Sequence, residues 1–143
     1  VDPQAIHASD WNDFMNRAGG YVRRQIELFK GREVSFDENG LLAVFDGPAR
    51  AIRCAQAINE SARRLNIRVK SGLHTGECEV VGARYRGLAV NLAQNIADEA
   101  LLGEILVSRT VKDLVAGSGL QFEENQARSF PEIEGKWRLF SVV

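Results

Sequence analysis

Few residues in this 143-residue sequence have types and spacings suited to chemistry. His74 follows an alternating apolar run, at a place where a histidine can act as a general base. No Ser or Cys nucleophile motif accompanies it, so we interpret His74 as a packed or hydrogen-bonded histidine at the end of a strand. His7 stands alone near the start of the sequence, and we assign it no role.

The cysteines and the basic pairs also have simple structural interpretations. Cys54 and Cys78 lie in periodic segments without CxxC or Cys/His metal-binding spacing, which is typical of reduced packing thiols. The arginine pairs at 23–24 and 63–64 fit solvated helix faces. The segment Arg84-Tyr85-Arg86 is different, because its guanidinium groups are suited to binding a phosphate or a partner carboxylate.

Length and composition limit the classes of function. The sequence is 45% hydrophobic and 26% charged, as expected for one α+β or α/β domain over residues 1–143. The net charge of −1 gives no general attraction to nucleic acid or to an anionic membrane, so neither is expected as a partner. No apolar run approaches the roughly 20 residues of a membrane span, and we expect a cytoplasmic location.

Helical periodicity predicts a first helix that Ser9 or Asp10 caps and Gly31 ends, with Gly19-Gly20 as the point where it breaks or kinks. Its predicted core face is Trp11, Phe14, Met15, Ala18, Val22, Ile26 and Phe29. Asn39-Gly40 between the strand-like runs 32–36 and 41–45 predicts a β-hairpin. Asp46-Gly47-Pro48 predicts the start of a second helix, whose core face is Ile52, Ala55, Ile58, Ala62 and Leu65.

The second half alternates shorter elements. Residues 67–73 read as a half-buried strand with 77–81 as its partner, and 84–87 as a loop. A helix over 88–100, a strand over 104–107 and a helix over 109–115 capped by Ser108 follow, with late strands at 120–124 and 137–142. This order predicts an α+β fold with helices on a mostly antiparallel sheet.

Three stretches carry a family resemblance: GREV followed by a hairpin and LLAVFDGPARAIRCAQAI over residues 31–58, VKSGLHTGE over 69–77, and GEILVSRTVKDLVAGSGLQFE over 103–123. They resemble the catalytic domain of bacterial class III adenylate/guanylate cyclases, including those found beside α/β-hydrolase or transcription-regulator modules. The resemblance implies a ferredoxin-like βαββαβ core with C-terminal additions. It also implies a dimer with two active sites at the subunit interface. The core's first strand is expected to be absent or to lie outside residues 1–143.

The resemblance places the metal ligands at two positions that this sequence does not match. In the family, one Asp on the first strand and one in the hairpin turn hold two divalent ions, Mg²⁺ or Mn²⁺. Asp2 has the chemistry of the first ligand but not its context. Asn39 occupies the second position, and a neutral amide lacks the charge that a hard cation favours. Asp37 and Glu38 beside it are interpreted as solvated charges at the hairpin tip, so no metal site and no cofactor are expected.

The nucleotide-binding positions have changed as well. Ser35 stands where the family has its purine-binding Lys, and Arg84 where it has the partner Asp or Thr. The pair that stabilises the transition state, an Asn and an Arg one helical turn apart, appears as Asn91 and Asn95, so the guanidinium is missing. Pro131 replaces the late Lys that contacts the triphosphate.

This pattern predicts a degenerate cyclase domain that is catalytically inactive and acts as a dimerisation or regulatory module in signal transduction. The expected partner is a second copy or a cyclase-like subunit, with a hydrolase or regulatory domain attached. The alternative from the enzyme class is a cyclase subunit, making cyclic nucleotides only when a competent partner completes the site. An RNA-binding sheet is disfavoured, because no strand carries the aromatic residues of an RNP motif.

Overall fold

The chain folds into four helices and ten strands within the residues that the computed structural model describes, which are 8–37, 40–77, 79–82 and 84–143. The first half contains α1 (Ala8–Leu28), β1 (Gly31–Asp37), β2 (Gly40–Phe45) and α2 (Pro48–Arg64). The second half contains β3 (Ser71–Leu73), β4 (Glu79–Val81), β5 (Arg84–Arg86), α3 (Leu88–Glu99), β6 (Ile105–Ser108), α4 (Arg109–Leu114), β7 (Phe122–Glu124), β8 (Arg128–Phe130), β9 (Ile133–Trp137) and β10 (Leu139–Val142).

Helix α1 runs without interruption through Gly19 and Gly20, so of the predicted kink or break, the break is wrong. Each glycine costs a helix about 1 kcal/mol relative to alanine. The turns on both sides bury apolar side chains, which holds the helix together across the weak point. The buried residues on this face are Phe14, Met15, Ala18, Val22 and Ile26. The side chain of the predicted core residue Trp11 lies outside the described part.

Strands β1 and β2 form the predicted antiparallel hairpin. Its pairing starts at Gly31 and Phe45 and reaches Asp37 and Gly40, with an irregularity in register between Glu33 and Ser35. The turn residues Glu38 and Asn39 lie outside the described residues. Helix α2 follows at once, with Gly47 as its N-cap and Pro48 in its first turn, as the sequence predicts.

The second half forms a mixed four-stranded sheet with the order β3-β6-β10-β7. Strand β3 pairs with β6 in parallel, while β10 pairs with β6 and β7 in antiparallel fashion. The α+β fold class is confirmed, and its layers are consistent with a ferredoxin-like cyclase core. Ser108 caps α4 as predicted, because its Oγ accepts the Val111 N–H.

Two pairings differ from the predictions. Strand β4 (Glu79–Val81) pairs with β5 (Arg84–Arg86) and not with β3, so the segment predicted as a loop is a strand. Both valines of β4 are exposed, so this hairpin has no buried face that alternation could reveal. Strands β8 and β9 form a further antiparallel hairpin that the sequence did not predict. Its charged and glycine residues hide the strand pattern.

Within the described residues, the buried apolar side chains form three clusters, which α2 and the four-stranded sheet separate from one another. One lies between α1, α2 and the β1–β2 hairpin and includes Phe14, Leu41 and Ile58. The others cover the two faces of the sheet, since Ile105 and Val107 belong to one cluster and Leu106 to the other. This alternation follows from the two-residue period of β6, which is buried on both faces.

An apolar cavity of about 230 Å³ separates the hairpin from the sheet. Its walls are β2 on one side and β3 on the other, and α2 contributes Cys54, Ala55 and Ile58. Among the described residues, β2 pairs with β1, and β3 pairs with β6. Burial raises the pKa of the Cys54 thiol to about 11.

His74, which directly follows β3, contacts side chains at the ends of β6 and β9. Its Nδ1 lies 2.7 Å from Ser108 Oγ, and its ring meets the Trp137 ring edge-on at 5.7 Å. Ser108 Oγ also accepts the Val111 N–H at 3.4 Å, so the hydroxyl hydrogen is available for the imidazole. The Ser108 side chain is fully buried, which excludes it as a nucleophile. The pair is therefore a structural contact.

Within the described part of the chain, every helix is too short or too polar to span a bilayer.

Gly72 allows α3 to approach β3 closely, and we predict that Gly72→Ala destabilises the chain. A Cβ at this position would lie 2.2 Å from the Ala97 backbone nitrogen and 2.7 Å from the Ala93 carbonyl oxygen. Because neither is the end of a flexible side chain, the helix must shift. We expect the free energy of unfolding in urea to fall by about 2 kcal/mol.

Gly20→Ala is the matched control, since a Cβ there meets no atom within 4 Å and the position is helical. It should raise the free energy of unfolding by about 1 kcal/mol. Equal effects of the two substitutions would contradict the proposed close contact between α3 and β3.

His74 should make the stability depend on pH. Burial lowers the pKa of its imidazole below the ordinary 6.5, so the folded state favours the neutral ring. The contribution to stability is therefore complete above the unfolded-state pKa of 6.5 and is lost as the pH falls through the lower folded-state pKa. In urea titrations between pH 7.5 and 5, the wild type should lose more stability than His74→Gln. Parallel curves for the two proteins would refute this role.

Candidate functional site

The positions that the resemblance assigns to nucleotide chemistry lie on the β1–β2 hairpin, on β5, on α3 and in the β8–β9 turn. Asn39, at the second metal position, lies outside the described residues, as do Asp2 and His7. The backbone of Asp37 ends β1 next to that turn. The other assigned residues lie in the described part of the chain: Ser35, Arg84, Asn91, Asn95 and Pro131.

Helix α3 carries the transition-state pair. Asn91 is exposed in the first half of the helix, and Asn95 follows one turn later and is half-buried. The side-chain Nδ2 of Asn95 donates to the Asn91 carbonyl oxygen at 2.9 Å. One N–H of the Asn95 amide is thus bound within its own helix, and α3 presents no cation where the family has its arginine.

Ser35 and Arg84 are both exposed, on strands of different hairpins. Ser35 pairs with Leu42 at the irregular point of the β1–β2 register. Arg84 begins β5 and pairs with Val81. Neither side chain has a carboxylate or amide partner among the described residues, so no base-reading pair is assembled within one chain.

The two hairpins meet through a contact that the sequence did not predict. Arg32 on β1 donates from Nη2 to the hydroxyl group of Tyr85 on β5, and its guanidinium lies 5.6 Å from the centre of the Tyr85 ring. These residues are 53 positions apart and no motif connects them. Only the fold brings them together, so Arg32 was missed as a candidate.

Pro131 lies exposed in the turn between β8 and β9. Its neighbours Glu132 and Glu134 are also exposed, and Glu132 has a positive φ of 65°. Two carboxylates beside a proline repel a triphosphate, whereas the family has a lysine here.

The residues present do not fit a pair of divalent cations. Across the described ranges, no group of three or more His, Cys, Asp or Glu side chains lies close enough together to hold a metal ion. At the hairpin turn the sequence supplies an amide, Asn39, in place of a carboxylate. We therefore derive no catalytic step that runs through a metal.

Sequence comparisons give distant relatives. No protein-family profile matches the chain. The uncharacterized protein Rv2212 of Mycobacterium tuberculosis is 26% identical over 114 residues, which cover 78% of this chain and 30% of that protein. Rv1359 of the same organism is 34% identical over 80 residues, covering 55% of this chain and 32% of that protein. The chain thus spans about a third of the length of these relatives.

Comparison with solved structures is more informative about the fold. An adenylate/guanylate cyclase/hydrolase from Silicibacter pomeroyi superposes with a TM-score of 0.83 at 24% identity, covering 92% of this chain and 84% of that one. Adenylate cyclases from Trypanosoma brucei in their monomeric state give 0.78 at 17% identity, covering 97% and 81%. The guanylate cyclase domain of RhGC from Catenaria anguillulae, in complex with GTP, gives 0.76 at 17% identity, covering 96% and 86%.

These superpositions cover 92–97% of this chain. The chain therefore has the fold of the catalytic domains of class III adenylate and guanylate cyclases.

Proposed function

We propose that this chain is a nucleotide cyclase-like domain that does not cyclise nucleotides and acts by associating with a second subunit. The observation that carries the proposal is on α3, where Asn95 replaces the arginine and its amide is hydrogen-bonded to the Asn91 carbonyl oxygen. A guanidinium on the transferring phosphate contributes several kcal/mol to such a reaction, and an amide bound to its own helix contributes none of this charge.

The other positions support the same conclusion. Ser35 offers no charge to a purine, and Arg84 offers the charge opposite to that of the Asp in the family. Pro131 lies between an aromatic residue and Glu132, so the triphosphate contact is missing too. Contacts to metal, base and phosphate are all changed, which is better explained by relaxed selection on the pocket than by a varied mechanism.

A regulatory role fits the wider comparisons. The curated relatives are about three times as long as the matched region, and one protein of similar structure is an adenylate/guanylate cyclase/hydrolase. We propose that residues 1–143 form a single cyclase-like domain, attached to a hydrolase or regulatory domain whose activity it controls through association. The location proposed for it is the cytoplasm, where the nucleotide pools are.

The alternative is a subunit that is active only with a competent partner. One observation favours it, namely that Asn91 is exposed on α3 and is therefore accessible to a second chain. In such a heterodimer the partner would supply the carboxylates for Mg²⁺ or Mn²⁺ and the missing arginine. One retained residue is a small contribution, so this remains the second candidate.

The first test is an assay for cyclase activity, which we expect to be absent. The purified chain, incubated with ATP or GTP and Mg²⁺ or Mn²⁺, should form no cyclic nucleotide above a protein-free blank, because Asn95, Ser35 and Pro131 lack the required charges. Mass spectrometry of the reaction products gives the answer. The double variant Asn39→Asp with Asn95→Arg should also stay at the blank, since the base and triphosphate contacts are still missing.

Turnover by the wild type that Asn91→Ala abolishes would overturn the proposal of inactivity. Turnover that appears only after mixing with an active cyclase subunit, and that Asn91→Ala again removes, would support the alternative.

Association is the second test. The proposed mode of action requires contact with a second chain, and a similar structure, the guanylyl cyclase domain of the RhoGC fusion protein from Blastocladiella emersonii, is dimeric. We expect a dimer at micromolar concentration in sedimentation velocity experiments. A species that remains monomeric at every concentration up to 100 micromolar would contradict the proposed mode of action.

A further inference from the structure

A polar cleft of about 510 Å³ lies at the base of the β1–β2 hairpin. Its walls include Lys30, Arg32, Phe45, Asp46, Val80 and Tyr85. Because β1 starts and β2 ends at the paired residues Gly31 and Phe45, the cleft is at the opposite end of the hairpin from the turn with Asn39. It is therefore separate from the position that the resemblance assigns to metal ions.

Arg32 is held in place at this cleft without being neutralised. The Tyr85 hydroxyl accepts from its Nη2, and the ring of Tyr85 lies beneath its guanidinium. These contacts fix the direction of the side chain, but neither partner carries a negative charge. Among the described residues, no carboxylate lies within 4.0 Å of Arg32 to form an ion pair. The remaining guanidinium donors are suited to an anionic ligand.

Lys30 has a left-handed backbone conformation that packing does not explain. Its N–H donates to the Glu27 carbonyl oxygen at 3.0 Å and closes the last turn of α1, with φ at 63°. A helix end in this left-handed conformation normally has glycine, because a side chain is strained there. The exposed Lys30 side chain forms no ion pair within the described ranges. Within the described residues, Lys30 therefore keeps a strained backbone position without an ion pair that offsets the strain.

The surroundings add positive charge and an apolar surface. Arg84 lies next to Tyr85 in β5, is exposed, and has no ion pair in the described part of the chain. Phe45 packs directly on Gly31, where a Cβ would lie 2.4 Å from the phenyl ring, so this wall is fixed. Asp46 is the one carboxylate that lines the cleft as described, and it can accept hydrogen bonds from hydroxyl groups.

We propose that this cleft binds a small phosphorylated, hydroxyl-bearing molecule. Lys30 and Arg32 hold the phosphate, Asp46 accepts from a hydroxyl group, and the Tyr85 ring lies against the carbon skeleton. A cleft of this size is within the usual range for small-molecule sites, about 300–1,000 Å³. The inference does not depend on whether the chain cyclises nucleotides, because none of these residues belongs to the positions assigned to that reaction.

The test is calorimetric titration with glycerol 3-phosphate at low ionic strength, with glycerol and inorganic phosphate as comparison ligands. Glycerol 3-phosphate should bind, inorganic phosphate should bind more weakly, and glycerol should not bind. Arg32→Gln should weaken the binding of glycerol 3-phosphate about tenfold, as expected for the loss of one charged hydrogen bond.

Lys30→Gly is the most informative variant, because it should weaken binding about tenfold while raising the melting temperature by about 3 °C through relief of the backbone strain. Asn66→Gly is the matched control, since Asn66 has nearly the same φ, 60°, after α2. It should leave binding unchanged. Arg64→Gln controls for net charge, because this exposed arginine at the end of α2 is not a cleft residue.

Failure of the wild type to bind glycerol 3-phosphate at millimolar concentration would overturn the proposal. So would wild-type affinity in both Lys30→Gly and Arg32→Gln, or an equal loss in Arg64→Gln. Calorimetry detects binding without turnover, so these outcomes are independent of the activity assay.

Discussion

The fold depends on the burial of two faces of α2. Ile58 and Ala62 pack with α1 and the hairpin, while Ile52 and Ala55 pack with the four-stranded sheet. In the described part of the chain, neither strand of the β1–β2 hairpin pairs with a strand of the four-stranded sheet. Packing on the two faces of α2 is therefore a main source of the cohesion between them. Fully burying one such isoleucine contributes about 1.5–3 kcal/mol, which is a large part of the stability of a small domain. Every assigned position on the hairpin takes its place relative to α3 through this packing.

Local patterns predicted much of the fold. The hairpin, the proline start of α2 and the Ser108 cap were predicted correctly, because each depends on a few adjacent residues. The partner of β3 was predicted wrongly, because parallel pairing with β6 joins segments about 30 residues apart and leaves no local signal. The continuous helix through Gly19 and Gly20 shows that tertiary burial can outweigh propensity.

The candidate site shows the same limit. The spacing of Asn91 and Asn95 correctly placed both on α3, because one helical turn is a local property. The contact between Arg32 and Tyr85 joins two hairpins and could not be derived from either segment alone. Its charge marked Arg84-Tyr85-Arg86 as a candidate binding segment at the level of the sequence, but the same segment was predicted to be a loop. Its strand conformation, which directs Tyr85 towards Arg32, follows from pairing with the exposed valines of β4.

The burial of Cys54 at the cavity between β2 and β3 also limits the reactivity of this thiol. With a pKa of about 11, the Cys54 thiol is ionised in on the order of one molecule in ten thousand at pH 7. Since the thiolate is the species that attacks disulfides and peroxides, oxidation at this position must be slow. Changes in the glutathione pool should therefore leave the helix that joins the two sheets chemically intact.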